Sequence, residues 1–344
     1  MPGTTLASLT TLRLGGPAEY VLTISTPADW ADAVRTIGQR HEQAPVVLGH
    51  GSNVIASDAG HPGTVVVMNT RGITAARVDD TTVDVTVQAG HPLTDLTAWA
   101  ATEHLAGIEC LAGIPGTTGA APVQNAGAYG QQISDTLDHL TVWDWEMGRM
   151  RTLPAEDCRL RHRNSRFKSN AGRWTVLTAT FHLTRSPAAA VAYQPLADEL
   201  GVPIGTRPPV AEVTAAVLAN RHRRGLLLVP YGPAARQAGS VFLNPPVTAT
   251  QAARLSAADC PVHTDSDGQV RAGAGWLLEH IGYRPGYRIA DGIRCSDRRT
   301  LTLTAHDGAT ATGFAQALTE LSAQVEVATG IALHPEPVLV GTWP

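Results

Sequence analysis

The 344-residue sequence predicts an α+β fold divided into two or three domains. The length exceeds one ordinary core. Helical and strand periodicities alternate irregularly, with strands in clusters, unlike a doubly wound sheet. A hydrophobic content of 43% with 16% charged residues belongs to a folded globular chain.

The elements follow in order. Thr26-Pro27-Ala28-Asp29 reads as a helix start, with Thr at the N-cap, Pro at N1 and Asp at N3. Trp30, Val34 and Ile37 then form one apolar face. Val46-Val47-Leu48 reads as a buried strand, and Val65–Met68 as another. Residues 82–87 alternate Val with polar residues, which predicts a half-buried strand. Pro92 opens a second amphipathic helix with Leu93, Leu96, Trp99 and Ala100 inward. "LTVWDW" and "WTVLTATFHL" are strand-like and flank the arginine-rich "CRLRHRNSRFKSN". Val210, Val213 and Val217 mark a helix running into "NRHRRG". A helix is expected near "GWLLEHIG", and a last one with Phe314, Leu318, Leu321 and Val325 inward, stopped by Gly330. Junctions near 70 and 225 divide the chain.

Composition narrows the function classes. A formal net charge of -4 argues against a general nucleic-acid binder. The basic residues are almost all Arg, with Lys168 the one lysine. Cys110, Cys158, Cys260 and Cys295 are widely spaced, suggesting neither a disulfide framework nor a metal site. The N-terminal stretch lacks a signal-peptide pattern, and no run of 18 apolar residues predicts a membrane span. The expectation is a cytoplasmic monomer acting on a small molecule, with no metal.

Two stretches carry chemistry. "GHGSN" follows a strand, and Gly49 and Gly51 let the backbone approach a ligand, while Ser52 and Asn53 add donors. That pattern suits a pyrophosphate, although it matches neither the Rossmann nor the P-loop signature. An ordinary tight turn is the alternative. "GIPGTTGAAPVQNAGAYG", residues 113–130, holds five Gly, four Ala and two Pro without a single charge. Its small residues bring main-chain groups within reach of a flat ligand, with Gln124 and Asn125 to reinforce them, and a loop of this length is usually functional. A structural Ω-loop is the competing reading.

Together with "RHRNSRFK", "AGSVFLNP", "GWLLEHIGY" and "LHPEPVLVG", these stretches fall in an order that resembles the UDP-N-acetylenolpyruvoylglucosamine reductase family, in its longer form. The resemblance spans nearly the whole chain. It implies a two-part FAD-binding region of the vanillyl-alcohol-oxidase (PCMH) type, residues 1–70 with 333–344 and residues 71–224, plus a substrate-binding α+β domain at 225–332. It implies an FAD-dependent oxidoreductase in peptidoglycan precursor synthesis, reducing an enolpyruvyl ether to a lactyl ether with non-covalent FAD as carrier and NADPH as reductant. Gly49, Gly51, Ser52, Asn53, Gly113, Ile114, Pro115, Gly116, Gly119, Ala120, Asn125, Gly127, Ala128 and Tyr129 then fall to the flavin.

Hydride addition to the enolpyruvyl terminal carbon leaves an enolate of the neighbouring carboxylate, so a cation there would act where charge develops. Arg163 matches the family's carboxylate-polarising arginine, and its fork suits that group. Taken alone it is one of four arginines on a solvated strand face. Ser240 matches the proton donor and Glu336 the acid that works with the arginine. Tyr193, Arg224 and His280 match substrate contacts, Arg224 standing where the family usually has Lys. His162, Val241 and Leu243 also depart from the usual Tyr, Phe and Lys or Thr, all on the substrate side. Three other readings remain: a paralogue acting on a related nucleotide-linked enolpyruvyl compound, an FAD oxidase, and a flavin-binding protein without turnover.

Overall fold

The computed structural model describes residues 3–343 except 43 and 189. The chain forms two compact units: Met1–Tyr20, Gly51–Pro62 and Leu228–Pro344 make one, and Val21–His50 with Gly63–Leu227 make the other. Helix, strand and irregular loop are mixed in both, as α+β predicts.

The larger unit, 21–50 with 63–227, is built on a five-stranded antiparallel sheet. Its order is Arg149–Pro154, Leu137–Asp144, Trp174–Thr184, Thr82–Gln88, Ile73–Arg77. Thr82–Gln88 shows the expected alternation, with Val83, Val85 and Val87 buried. Phe181 and Leu183 stand opposite Val85 and Val83, and all four join one core with Leu93, Leu96 and Ala100 of the Leu93–Thr102 helix. The Asp29–Gln39 helix adds Trp30 and Ile37 to that core. A second, smaller core gathers Tyr129 and Cys110 with Leu196 of the Gln194–Leu200 helix and Val210, Val213 and Val217 of the Val210–Arg223 helix.

The unit of residues 1–20, 51–62 and 228–344 holds a four-stranded sheet in the order Gln237–Ser240, Arg299–Ala305, Ile293–Ser296, Arg288–Ala290. Phe314, Leu318, Leu321 and Val325 of the Ala311–Thr329 helix are buried as expected, with Leu277 and Leu278 of Ala274–His280 in the same core. The long helix stops at Gly330, whose φ of 71° a side chain would resist. Asp58 accepts from the Ala311 and Thr312 amides at 2.9 and 2.8 Å, holding the helix start to the 51–62 segment. Val338–Val340 pairs in parallel with Val54–Ala56, so the C-terminal strand lies beside the stretch that follows "GHGSN".

Two local expectations need correction. The first helix begins at Asp29, not at Pro27, because the turn Thr26–Ala28 closes with three-residue bonds. Thr26 caps nothing with its side chain; instead the Asp29 carboxylate accepts from the Ser25 and Thr26 amides at 2.9 and 2.8 Å. Val46–Leu48 is a strand, but a partly open one, with Leu48 buried and Val47 37% exposed. Among the described residues no helix is long and apolar enough to cross a membrane.

Candidate active site

Residues 113–130 are mostly irregular but not structureless. A 3-10 turn, Ala121–Gln124, and a minimal hairpin of Gly127–Ala128 with Gln131–Gln132 give the loop internal order. Its first half is laced to the segment before the Leu93–Thr102 helix. The Thr118 amide donates to the His91 carbonyl at 2.8 Å, the Gly119 amide to that of Ala89 at 2.8 Å, and the Leu93 amide to that of Gly116 at 3.1 Å. The glycines answer specific crowding. A Cβ on Gly119 would stand 2.5 Å from the Ala89 Cβ. One on Gly49 would stand 2.3 Å from the Thr117 hydroxyl, so the first residue of "GHGSN" backs directly onto this loop. Gly113 and Gly116 have φ of 73° and 136°.

Asn125 is the loop's hub. It is buried, with φ of 45°, and its side-chain amide lies 3.1 Å from the Gln132 amide oxygen, 3.2 Å from the Ser134 hydroxyl and 3.1 Å from the Arg161 carbonyl. Its side-chain oxygen accepts from the Ser134 amide at 2.9 Å. The side chain is thus spent on shaping the loop. The Ser165 hydroxyl, which also caps the amides of Phe167 and Lys168, donates to the Val123 carbonyl and fastens the loop from the other side. Ile114, Pro115 and Gly116 are half-buried, and Ala120 is exposed.

Arg163 sits in a tight turn, closed by reciprocal bonds between Arg161 and Asn164, and not on the strand face that composition alone suggested. Its φ of 53° is rare for a residue with a side chain. The guanidinium reaches the carbonyls of Asn125, at 3.5 Å, and Gly127. Arg163 and the uncharged loop therefore meet directly.

Tyr129, with φ of 52°, ends the loop inside the second core. Its hydroxyl donates to the Asn220 side chain at 3.0 Å, and Asn220 in turn donates to Glu199 at 3.3 Å. Its ring meets that of Tyr193 edge-on at 5.8 Å, joining a flavin candidate to a substrate candidate. Arg224 lies exposed just past the end of the Val210–Arg223 helix. The neighbour the sequence reading missed is Arg221. It is 8% exposed, its Nε has no partner among the described residues, and a Cβ on Gly113 would lie 3.1 Å from that nitrogen. Burial, the largest influence, lowers its pKa from the ordinary arginine value. "NRHRRG" reads as a basic helix end, and nothing in its pattern says which arginine turns inward.

His50 and His91 also belong to this unit. Burial, ahead of the nearby Arg71 charge, lowers the His50 pKa; burial outweighs the opposing Asp95 for His91. All four cysteines are buried and free, and burial pushes the thiols of Cys110 and Cys158 up to about 12. Among the described residues no cluster of three His, Cys, Asp or Glu could hold a metal ion.

In the other unit, Ser240 and Glu336 lie on adjoining backbone. The Glu336 amide donates to the Val241 carbonyl at 2.9 Å, the Leu243 amide to that of His334 at 3.0 Å, and Phe242 bridges to Pro335. Asn53 joins them, its side chain donating to the Glu336 carbonyl at 3.3 Å. Gly51 is held at φ of 59°, where a Cβ would strike the Leu9 carbonyl at 2.3 Å. Ser240 ends a strand beside a bulge, made possible by Gly239 at φ of 72°. Val241 is fully buried. His280 is exposed and stacks on Trp276 at 4.5 Å.

The larger unit fits a flat cofactor. Gly49, Gly113 and Gly119 are packed against Thr117, Leu227 and Ala89 so closely that none could carry a Cβ, which fixes the main chain here, and the Arg221 Nε is a buried donor with no partner among the described residues beside Gly113. Main-chain groups and one cation suit an anionic, planar ligand.

Comparison with known proteins agrees. The family described as "FAD binding domain" matches residues 18–154, and "UDP-N-acetylenolpyruvoylglucosamine reductase, C-terminal domain" matches residues 232–340. The UDP-N-acetylenolpyruvoylglucosamine reductase of Salinispora arenicola is 40% identical over 97% of this chain and 94% of its own. Among solved structures, the UDP-N-acetylenolpyruvylglucosamine reductase of Thermus caldophilus shares the fold, with a TM-score of 0.63 at 24% identity over 99% of this chain and 98% of that one. A VAO-type flavoprotein of Myceliophthora thermophila C1 aligns with a TM-score of 0.53 at 16% identity, over 95% of this chain and 73% of its own.

Proposed function

The chain belongs to the UDP-N-acetylenolpyruvoylglucosamine reductase family, and on that footing we propose that it reduces UDP-N-acetylglucosamine enolpyruvate to UDP-N-acetylmuramate, for peptidoglycan synthesis. The observation that carries this reading is the 40% identity to a reductase of that name, spanning 97% of the chain. The uncharged 113–130 loop, held in place by close packing and main-chain hydrogen bonds, is consistent with it. On the same reading residues 1–70 with 333–344 and residues 71–224 serve FAD, residues 225–332 serve the substrate, and the protein works as a cytoplasmic monomer.

FAD, when bound, carries hydride from NADPH to the terminal enolpyruvyl carbon. The chain's own groups do the rest. Arg163 holds the substrate carboxylate, where negative charge grows as the double bond is consumed. Glu336 shares that charge through a hydrogen bond, its backbone fixed by Pro335, Pro337 and the Asn53 contact. Ser240 gives a proton to the α-carbon, which completes the lactyl ether, and recovers one from solvent. Tyr193, Arg224 and His280 are assigned to the nucleotide sugar, while Tyr129, Asn125 and the glycines, with Arg221 added, are assigned to FAD.

The purified flavoprotein tests this in two half-reactions. NADPH should bleach the flavin, and UDP-N-acetylglucosamine enolpyruvate should restore its colour. Bleaching without restoration by that compound would replace this substrate with a related one.

A further inference from the structure

Residues flanking the Arg163 turn carry a feature that the flavin chemistry does not use. Residues 134, 155–156, 159–161, 164–166 and 169–170 line an open cleft of about 760 Å³, within the usual range for small-molecule sites. Arg159, Arg161 and Arg166 line it against a single acid, Glu156. In a chain of net charge -4 such a concentration is local, not a reflection of composition. The guanidinium groups of Arg159 and Arg161 have no hydrogen-bond or ion-pair partner among the described residues, although Glu156 lines the same cleft. Arg166 is pre-set by its bond to the Asp157 carbonyl, at 3.1 Å, and by its place over the Trp174 ring at 5.0 Å.

The backbone holds the two free arginines in place. Arg159 occupies the left-handed region, with φ of 49°, at the end of the Ala155–Cys158 turn. Arg161 is pinned by its reciprocal bonds to Asn164 and by the Asn125 amide on its carbonyl. Arg159 thus holds a backbone conformation uncommon for a residue with a side chain while presenting an exposed, unpaired guanidinium into the cleft. Ser134 and Ser169 add hydroxyls, and Leu160 with Ala155 supply a small apolar floor. Forked, unpaired guanidinium groups match phosphate oxygens.

We propose that this cleft is a binding site for a small-molecule oligophosphate, an anion with two or more linked phosphate groups, distinct from the residues assigned to FAD and to the nucleotide sugar. One wall of it, Ser134 and Arg161, shares hydrogen bonds with Asn125 of the 113–130 loop, so occupancy is positioned to be felt there.

The test titrates tripolyphosphate by calorimetry into the FAD-loaded protein carrying Arg224→Ala, which removes the phosphate contact assigned to the nucleotide sugar. One site is expected, weakening as salt rises. Arg159→Ala and Arg161→Ala should each weaken it about tenfold or more, whereas Glu156→Gln should tighten it by about twofold to fivefold. All three changes are on exposed side chains, and an unchanged melting temperature checks that the fold survives. An identical isotherm in wild type and the Arg159→Ala/Arg161→Ala double variant would overturn the proposal. So would the absence of any site in the Arg224→Ala background, or a Glu156→Gln variant that binds more weakly.

Discussion

Residues 113–130 and the pairing of residues 240–243 with 334–336 make opposite use of the chain. In the loop, on the proposed reading, the main chain is the working surface, and side chains matter by being small: Gly119, and Gly49 packed against the loop at Thr117, leave no room for a methyl group. In the other region the backbone is an ordinary bridged ladder, and on the proposed reading the work falls to single side chains of common types, Ser240 and Glu336. Where packing dictates residue type, the sequence carries a dense signal. Where chemistry needs one hydroxyl or one carboxyl on a tolerant backbone, it carries almost none.

Three experiments strain that contrast, the largest effect first. On the proposed reading Ser240→Ala removes the proton donor, so reoxidation of the reduced flavin by substrate should slow by about 10²–10⁴-fold. Reduction by NADPH should persist, and stopped-flow absorbance separates the two; equal loss in both would end the proton-donor assignment.

Glycine replacements come next. Gly49→Ala drives a Cβ to 2.3 Å from the Thr117 hydroxyl and should cost about 1–3 kcal/mol by overpacking, with weaker FAD retention. Thr117→Ala in the same chain should recover part of that loss, read by urea unfolding of the four-member cycle. Gly239→Ala meets open space but a φ of 72°, so it should cost only about 1–2 kcal/mol, with no rescue from a neighbour. A Gly49→Ala variant as stable as wild type would show that the loop yields more readily than its contacts indicate.

The smallest effect is a pH slope. His50 and His91 are both depressed below the ordinary histidine value of 6.5. The unfolded chain therefore takes up protons first as pH falls, and the histidines' share of stability, complete above about 6.5, is lost as pH drops below that value toward the folded pKa. His91→Gln should flatten the decline in melting temperature between neutral and mildly acidic pH. A slope unchanged in that variant would assign the effect elsewhere.

Much of the fold was legible. The Val83, Val85, Val87 alternation, the Phe314-to-Val325 stripe and the Gly330 stop are short-range patterns, and the structure repeats them. Misreadings came where local rules compete. Thr26-Pro27 looks like a helix start, yet the Asp29 carboxylate binds the Ser25 and Thr26 amides and the helix waits until Asp29. Val46–Leu48 is apolar throughout, but strand register turns Val47 outward.

The sequence by itself determined the helix and strand periods, the turns that demand glycine, and the uncharged stretch with its family resemblance. These rest on dihedral limits and residue size, which act over a few positions. Only the tertiary structure decided that Asn125 spends its amide on Gln132, Ser134 and Arg161, that Arg163 braces the carbonyls of Asn125 and Gly127, and that Arg221 turns inward beside Gly113. Those outcomes depend on partners far along the chain, brought close by burial, and no local pattern encodes which polar group a neighbour will meet.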